Sequence, residues 1–138
     1  MTTATTDLAG LILGEHDALT AIRRDLHAHP ELGYEEHRTS GVIQRELASM
    51  GIAFKAGLAR GTGVVAHIPA STDTGRPSVA FRADIDALPI HETSGVAHES
   101  ETAGVMHACG HDGHTAILLG LARVLLAIEH RPNPVTLV

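Results

Sequence analysis

At 138 residues the chain is about one domain long, and 43% hydrophobic against 19% charged residues is the balance of a globular protein with a core. A net charge of −6 with a single lysine excludes the clustered basic surface that nucleic acids need, and one cysteine excludes an internal disulfide. Arg123 interrupts the longest apolar run, Ala116 to Ile128, before membrane-spanning length, and the first seven residues lack a basic leader, so the cytoplasm is the expected compartment.

The first predicted helix runs from about Asp7 to His29, with Leu8, Leu11, Ile12, Leu19, Ile22 and Leu26 at helical spacing, and Pro30 ends it. A second is predicted from Tyr34 to Met50, carrying Ile43, Leu47 and Met50 on one face, with Gly51 as its left-handed terminator. The period then changes. Gly63 to Ile68 reads as a strand closed by Pro69 and a polar turn over Ser71 to Arg76, and Ser78 to Ala83 reads as another. A short strand near Ala53 to Ala56 fits the same pattern. Ile85 to Met106 is loop-rich, and long loops in a compact domain are often functional. A third helix opens at Asp112 or Gly113 and reaches about Glu129; it is apolar on most faces and belongs against a sheet. Val135 to Val138 begins a further strand. The fold expected is α/β, a central sheet flanked by helices. With aromatics confined to Tyr34, Phe54 and Phe81, its core is aliphatic. The chain ends within an apolar strand, which natural edges avoid, so it is expected to be a fragment.

Three short stretches carry chemistry. His107-Ala108-Cys109-Gly110-His111-Asp112-Gly113-His114 packs three imidazoles, the thiol and a carboxylate ahead of the third helix. Imidazole nitrogen and thiolate sulfur are preferred ligands of divalent transition metals, and Gly110 lets Cys109 and His111 turn toward one ion. An isolated Cys-x-His is more often packing and a cap; the crowded neighbours favour metal. Asp112 can cap the helix or accept from a ring N–H. Arg82 to Pro89 places Asp84 and Asp86 at a strand end, where open α/β sheets hold ligands, although both could simply solvate the loop and meet Arg82. His27 and His29 at a helix terminus suit structural capping better than metal. The remaining histidines, including His98, have no spacing that singles them out.

Arg24 to Leu32, Arg82 to Ile90 and Met106 to Ala116 occur in that order, and together they resemble the N-terminal part of the amidohydrolase branch of the aminoacylase–carboxypeptidase family of dinuclear metallopeptidases. That branch includes hippurate hydrolases, N-acyl-amino-acid amidohydrolases and plant auxin-conjugate hydrolases. The resemblance spans about Leu19 to Val138. It implies a catalytic domain with a lid inserted later in the sequence, so that residues 1–138 form one incomplete portion of it. It further implies a pair of divalent ions (Mn, Zn, Co or Ni), with Cys109 and His111 as metal ligands. Cys109 would bridge the two ions, and Asp86 would act at the catalytic centre by orienting a ligand or the metal pair.

By the same resemblance the next strand would lead into an acidic pair holding the general base and another ligand, with further His ligands beyond. The implied function is metal-dependent hydrolysis of N-acyl amino acids, a small-molecule reaction without nucleic-acid or membrane partners, with the complete enzyme compatible with a homo-oligomer. The 138 residues alone are expected to be inactive. The alternative is a non-catalytic metal-binding or interaction module.

Overall fold

The structure is a computed structural model that describes residues 7–72 and 75–138. The element order is α1 (Leu8–Ala28), α2 (His37–Ser49), β1 (Ala53–Leu58), β2 (Gly63–Ile68), β3 (Val79–Phe81), α3 (His111–Ala127) and β4 (Val135–Leu137). The four strands form one sheet in the order β1-β2-β4-β3. β2 is antiparallel to both β1 and β4, whereas β3 runs parallel to β4. That parallel pair requires a crossover, and α3 supplies it. The expected sheet flanked by helices is thus the observed architecture.

Alternation along β2 decides which face is covered. Ala66 and Ile68 are buried while His67 between them is exposed, and in β4 Val135 and Leu137 are buried. These side chains meet Leu47 of α2 and Leu119 and Ala122 of α3 in one aliphatic core. α1 lies against α3, with Ile22 touching the same core. Gly120 permits the close approach: a Cβ there would fall 2.4 Å from Leu19 Cδ1.

Several boundaries depart from the sequence expectations for identifiable reasons. α1 begins at Leu8 because the Asp7 carboxylate accepts from the Gly10 N–H at 2.9 Å, as an N-cap does. Its apolar stripe is buried only at the C-terminal end, at Leu26 to Ala28, and Leu8 and Ile12 are exposed. α2 starts three residues later than predicted. Tyr34 has φ +70°, incompatible with a helix, and the first free N–H groups, of Arg38 and Thr39, donate to the Glu31 carboxylate at 2.9 and 2.8 Å. Glu31 therefore caps the next helix across the loop. α3 opens at His111, one residue before the earliest expected start, because Gly110 at φ +83° makes the turn into it. Asp112 does not cap this helix, since its carboxylate is taken up elsewhere. The strand expected over Ser78 to Ala83 shortens to Val79–Phe81, so Asp84 and Asp86 lie beyond it in loop. The polar turn predicted at 71–76 includes residues 73 and 74, and the segment read for a leader includes residues 1–6; both lie partly outside the described residues.

Candidate functional site

The loop after β3 and the first turn of α3 meet at one contact. Nδ1 of His111 lies 2.9 Å from Asp86 Oδ1 and 2.9 Å from the Asp86 carbonyl oxygen. Both partners are acceptors, so Nδ1 must carry the ring proton. The lone pair of a neutral ring is then on Nε2, which makes no hydrogen bond among the described residues. A carboxylate behind one ring nitrogen is the arrangement that turns the other toward a metal. Below this ring, Thr115 Oγ1 donates to the His111 carbonyl at 2.9 Å and steadies the first turn of α3.

Cys109 sits two residues earlier, in the turn where the Gly110 N–H donates to the His107 carbonyl at 3.3 Å, and its thiol is exposed. The ring of His114 lies 5.5 Å from that of His111, on the solvent side. Asp84 is not part of this contact; it pairs with Arg82, as the simplest reading of that loop anticipated. Asp86 also lines a cavity of about 400 Å³ between the sheet and α2–α3, whose walls include Tyr34, Glu36, Leu118 and Leu137, and neither Cys109 nor His111 lines it.

A second polar cluster adjoins the first, with His27, Glu92 and Asp112 buried. His27 is 5% exposed at the end of α1, between two carboxylates that are remote in sequence. Its Nδ1 is 2.8 Å from Asp112 Oδ2, and its Nε2 is 3.1 Å from Glu92 Oε1. Burial opposes charge on this ring, but the hydrogen bonds and charges of Glu92 and Asp112 outweigh it and raise the His27 pKa above 6.5. Burial likewise pushes the Glu92 carboxyl upward, yet donation from Ser94, the Ser100 N–H and His27 overrides it and brings the pKa down to about 2. Arg23 Nε joins Asp112 Oδ2 at 3.2 Å. The His98 ring packs edge-on against His27, with centroids 5.3 Å apart.

His107 is 4% exposed, and among the described residues neither of its ring nitrogens finds a hydrogen-bond partner; burial lowers its pKa from 6.5. Neither Glu92 nor His98 was singled out from the sequence, and no spacing points to either. The helix-terminus position of His27 predicts a capping role; the structure places it instead in a buried ion cluster. His29 does cap, with Nδ1 donating to the Asp25 carbonyl at 2.8 Å.

The donor chemistry can be set against a divalent metal. Cys109 Sγ and His111 Nε2 are suitable donors, but among the described residues no three His, Cys, Asp or Glu side chains converge as a metal group would require. Catalytic zinc sites use three protein ligands. The residues fit as part of a ligand set.

Residues 80–138 match the model of peptidase family M20/M25/M40. The same segment contains the loop of Asp86 and the turn of Cys109 and His111. This chain belongs to the M20 peptidase family. Its similarity to named M20 relatives extends well beyond that segment. It is 51% identical over 116 residues to the IAA-amino acid hydrolase ILR1-like 2 of Arabidopsis thaliana, covering 83% of this chain and 25% of that protein. It is 49% identical over 107 residues to the N-acetyl-L-cysteine deacetylase of Bacillus subtilis, covering 78% of this chain and 25% of the relative. Among solved structures, the YXEP protein of Bacillus subtilis, described as a dinuclear metal binding peptidase of the M20 family, superposes with a TM-score of 0.84 at 40% identity, over 91% of this chain and 34% of that one. The chain therefore spans about a quarter of the length of these curated relatives and a third of the M20 structure. The family and fold expected from the three sequence blocks are those found.

Proposed function

We propose that this M20 chain carries part of the active site of a metal-dependent amidohydrolase acting on N-acyl amino acids. Cys109 and His111 are its metal donors and Asp86 orients His111. The observation that carries the reading is the His111–Asp86 contact, which fixes the ring proton on Nδ1 and leaves Nε2 as a donor two residues along the chain from the only thiol. The names of relatives, an IAA-amino acid hydrolase and an N-acetyl-L-cysteine deacetylase, support an acylated amino acid as the substrate class. The description of the related structure as dinuclear supports two ions.

A pair of divalent ions supplies two things when bound: a lowered pKa for bound water and polarisation of a carbonyl. The chain's own residues prepare for that. The exposed Cys109 thiol is accessible for ligation, whereas His111, held from behind by Asp86, keeps one orientation. No carboxylate in this contact is free to act as the general base, since Asp86 is engaged with the His111 ring and Asp84 with Arg82. The 138 residues alone are therefore inactive in this reading.

Two measurements test it. The purified chain, supplied with Mn²⁺, Zn²⁺ or Co²⁺, should show no hydrolysis of hippurate or N-acetyl amino acids above a C109A/H111A control. Co²⁺ should give a thiolate-to-cobalt absorption band that the Cys109→Ser variant lacks. Turnover by the chain would overturn the incompleteness of the site, and a Co²⁺ response that is the same in Cys109→Ser would overturn Cys109 as a donor.

A further inference from the structure

We propose that His27 is a positioning residue for the metal-donor turn, acting through the two carboxylates it joins. The proposal rests on the reading of Cys109 and His111 as donors and adds to it a residue remote from both. His27 does not touch either donor. What it holds is the backbone on each side of the His111–Asp86 contact.

One line of force runs through Asp112. This residue follows His111 directly, is fully buried, and has Oδ2 held between His27 Nδ1 at 2.8 Å and Arg23 Nε at 3.2 Å. The first turn of α3 is thereby tied to the last turns of α1, and the direction of the His111 Cα–Cβ bond is fixed with it. The other line runs through Glu92. Its Oε1 faces His27 Nε2, and its Oε2 accepts from the Ser100 N–H at 2.7 Å. Ser100 Oγ donates to the Val105 carbonyl at 2.7 Å, and the next residue, Met106, exchanges two backbone hydrogen bonds of 3.0 Å with Leu88. Leu88 is two residues from Asp86. One imidazole thus governs the placement of both partners in the contact that readies His111 Nε2.

Packing alone does not account for this cluster. A buried ion cluster adds little net stability compared with apolar side chains of similar volume, and the role proposed for this one is to hold geometry. Residues that hold a ligand from behind typically change metal affinity by about 10–100-fold when removed.

The test compares the 138-residue chain with His27→Phe, which keeps a ring without donors, and His27→Gln, which keeps one donor. A Leu119→Ala variant, eight residues along α3 from His111, serves as a control destabilised in the core. The first readout needs no metal: ¹⁵N NMR of the His111 ring, expected as the single Nδ1–H form in the wild type and in Leu119→Ala, and as a mixture in His27→Phe. The second is the Co²⁺ midpoint of the thiolate-to-cobalt band, expected to rise several-fold and by no more than about tenfold in His27→Phe, less in His27→Gln, and not in Leu119→Ala.

Wild-type tautomer and wild-type midpoint in His27→Phe would overturn the proposal. Equal changes in Leu119→Ala would also overturn it, by showing that lost stability is the cause. If His27→Phe does not fold, His27→Gln carries both readings, with an unchanged ring signal counting against the proposal. A wild type without any cobalt–thiolate band would show that these two donors alone do not hold the ion, and the tautomer comparison would then decide the role of His27.

Discussion

Nδ1 of His111 stands 2.9 Å from both the carboxylate and the carbonyl oxygen of Asp86, so a single residue supplies two acceptors to one ring proton. The side chain makes the stronger of the two bonds because it is charged. Asp86→Ala leaves the carbonyl in place, so the ring keeps one acceptor but loses its charge-assisted bond. Cobalt affinity is expected to fall about tenfold, the low end of effects for a group behind a ligand. Asp86→Asn keeps an acceptor oxygen and should fall between that variant and the wild type. Titration with Co²⁺, read at the thiolate-to-cobalt band, checks the ranking. Equal affinities for all three proteins would remove Asp86 from the site.

Stability should respond to pH through His27 and Glu92 in opposite directions. The folded pKa of His27 is raised above 6.5, so its contribution is fully present below 6.5 and is lost as pH climbs through the raised value. Glu92 is lowered from 4.5 to about 2, so its contribution is present above 4.5 and is lost as pH falls toward 2. The thermal midpoint should therefore decline on both sides of a mildly acidic maximum. His27→Phe should flatten the alkaline side. Calorimetry of the two proteins from about pH 5 to pH 9 tests the slope. An unchanged alkaline slope in the variant would assign it to other groups.

The difference between what local pattern reveals and what folding creates is visible in these same residues. Gly63 to Ile68 has the bounds in the structure that its β-branched run and closing proline predict, and the apolar length of α3 announces an interior helix. Cys109 and His111 stand out as candidate donors because their chemistry is packed within three residues. His27, Glu92 and Asp112 are not, since they lie 65 and 85 residues apart along the chain and acquire their roles only when α1 and α3 pack. Asp112 illustrates the ambiguity. At the mouth of a helix it reads as a cap, and only the arrival of His27 and Arg23 shows where its charge is spent. Glu31 is the converse, an acid in a loop that becomes the cap of a helix beginning six residues later.

The aliphatic core provides a check on the fold itself. Leu119 is 3% exposed and meets residues of both α2 and the sheet. Leu119→Ala removes buried methyl groups from a site whose neighbours belong to three different elements and cannot all collapse inward. The expected loss is about 2–5 kcal/mol, measured by urea unfolding. A loss below about 1 kcal/mol would mean that the side chain is not held in the core.

Gly110 offers the sharpest separation of backbone from side-chain effects. It occupies φ +83° and ψ 21° at the entry to α3, and a Cβ built there would have no heavy atom within 4 Å. Any cost of Gly110→Ala is therefore conformational, on the order of 1–2 kcal/mol for a residue forced into the left-handed region. Asparagine tolerates that region better, so Gly110→Asn should cost less than alanine despite its larger side chain. Because the same dihedrals set Cys109 relative to His111, the cobalt midpoint should rise in the order wild type, Asn, Ala. Equal losses for Asn and Ala would point to side-chain crowding at this turn, against the open space the structure shows.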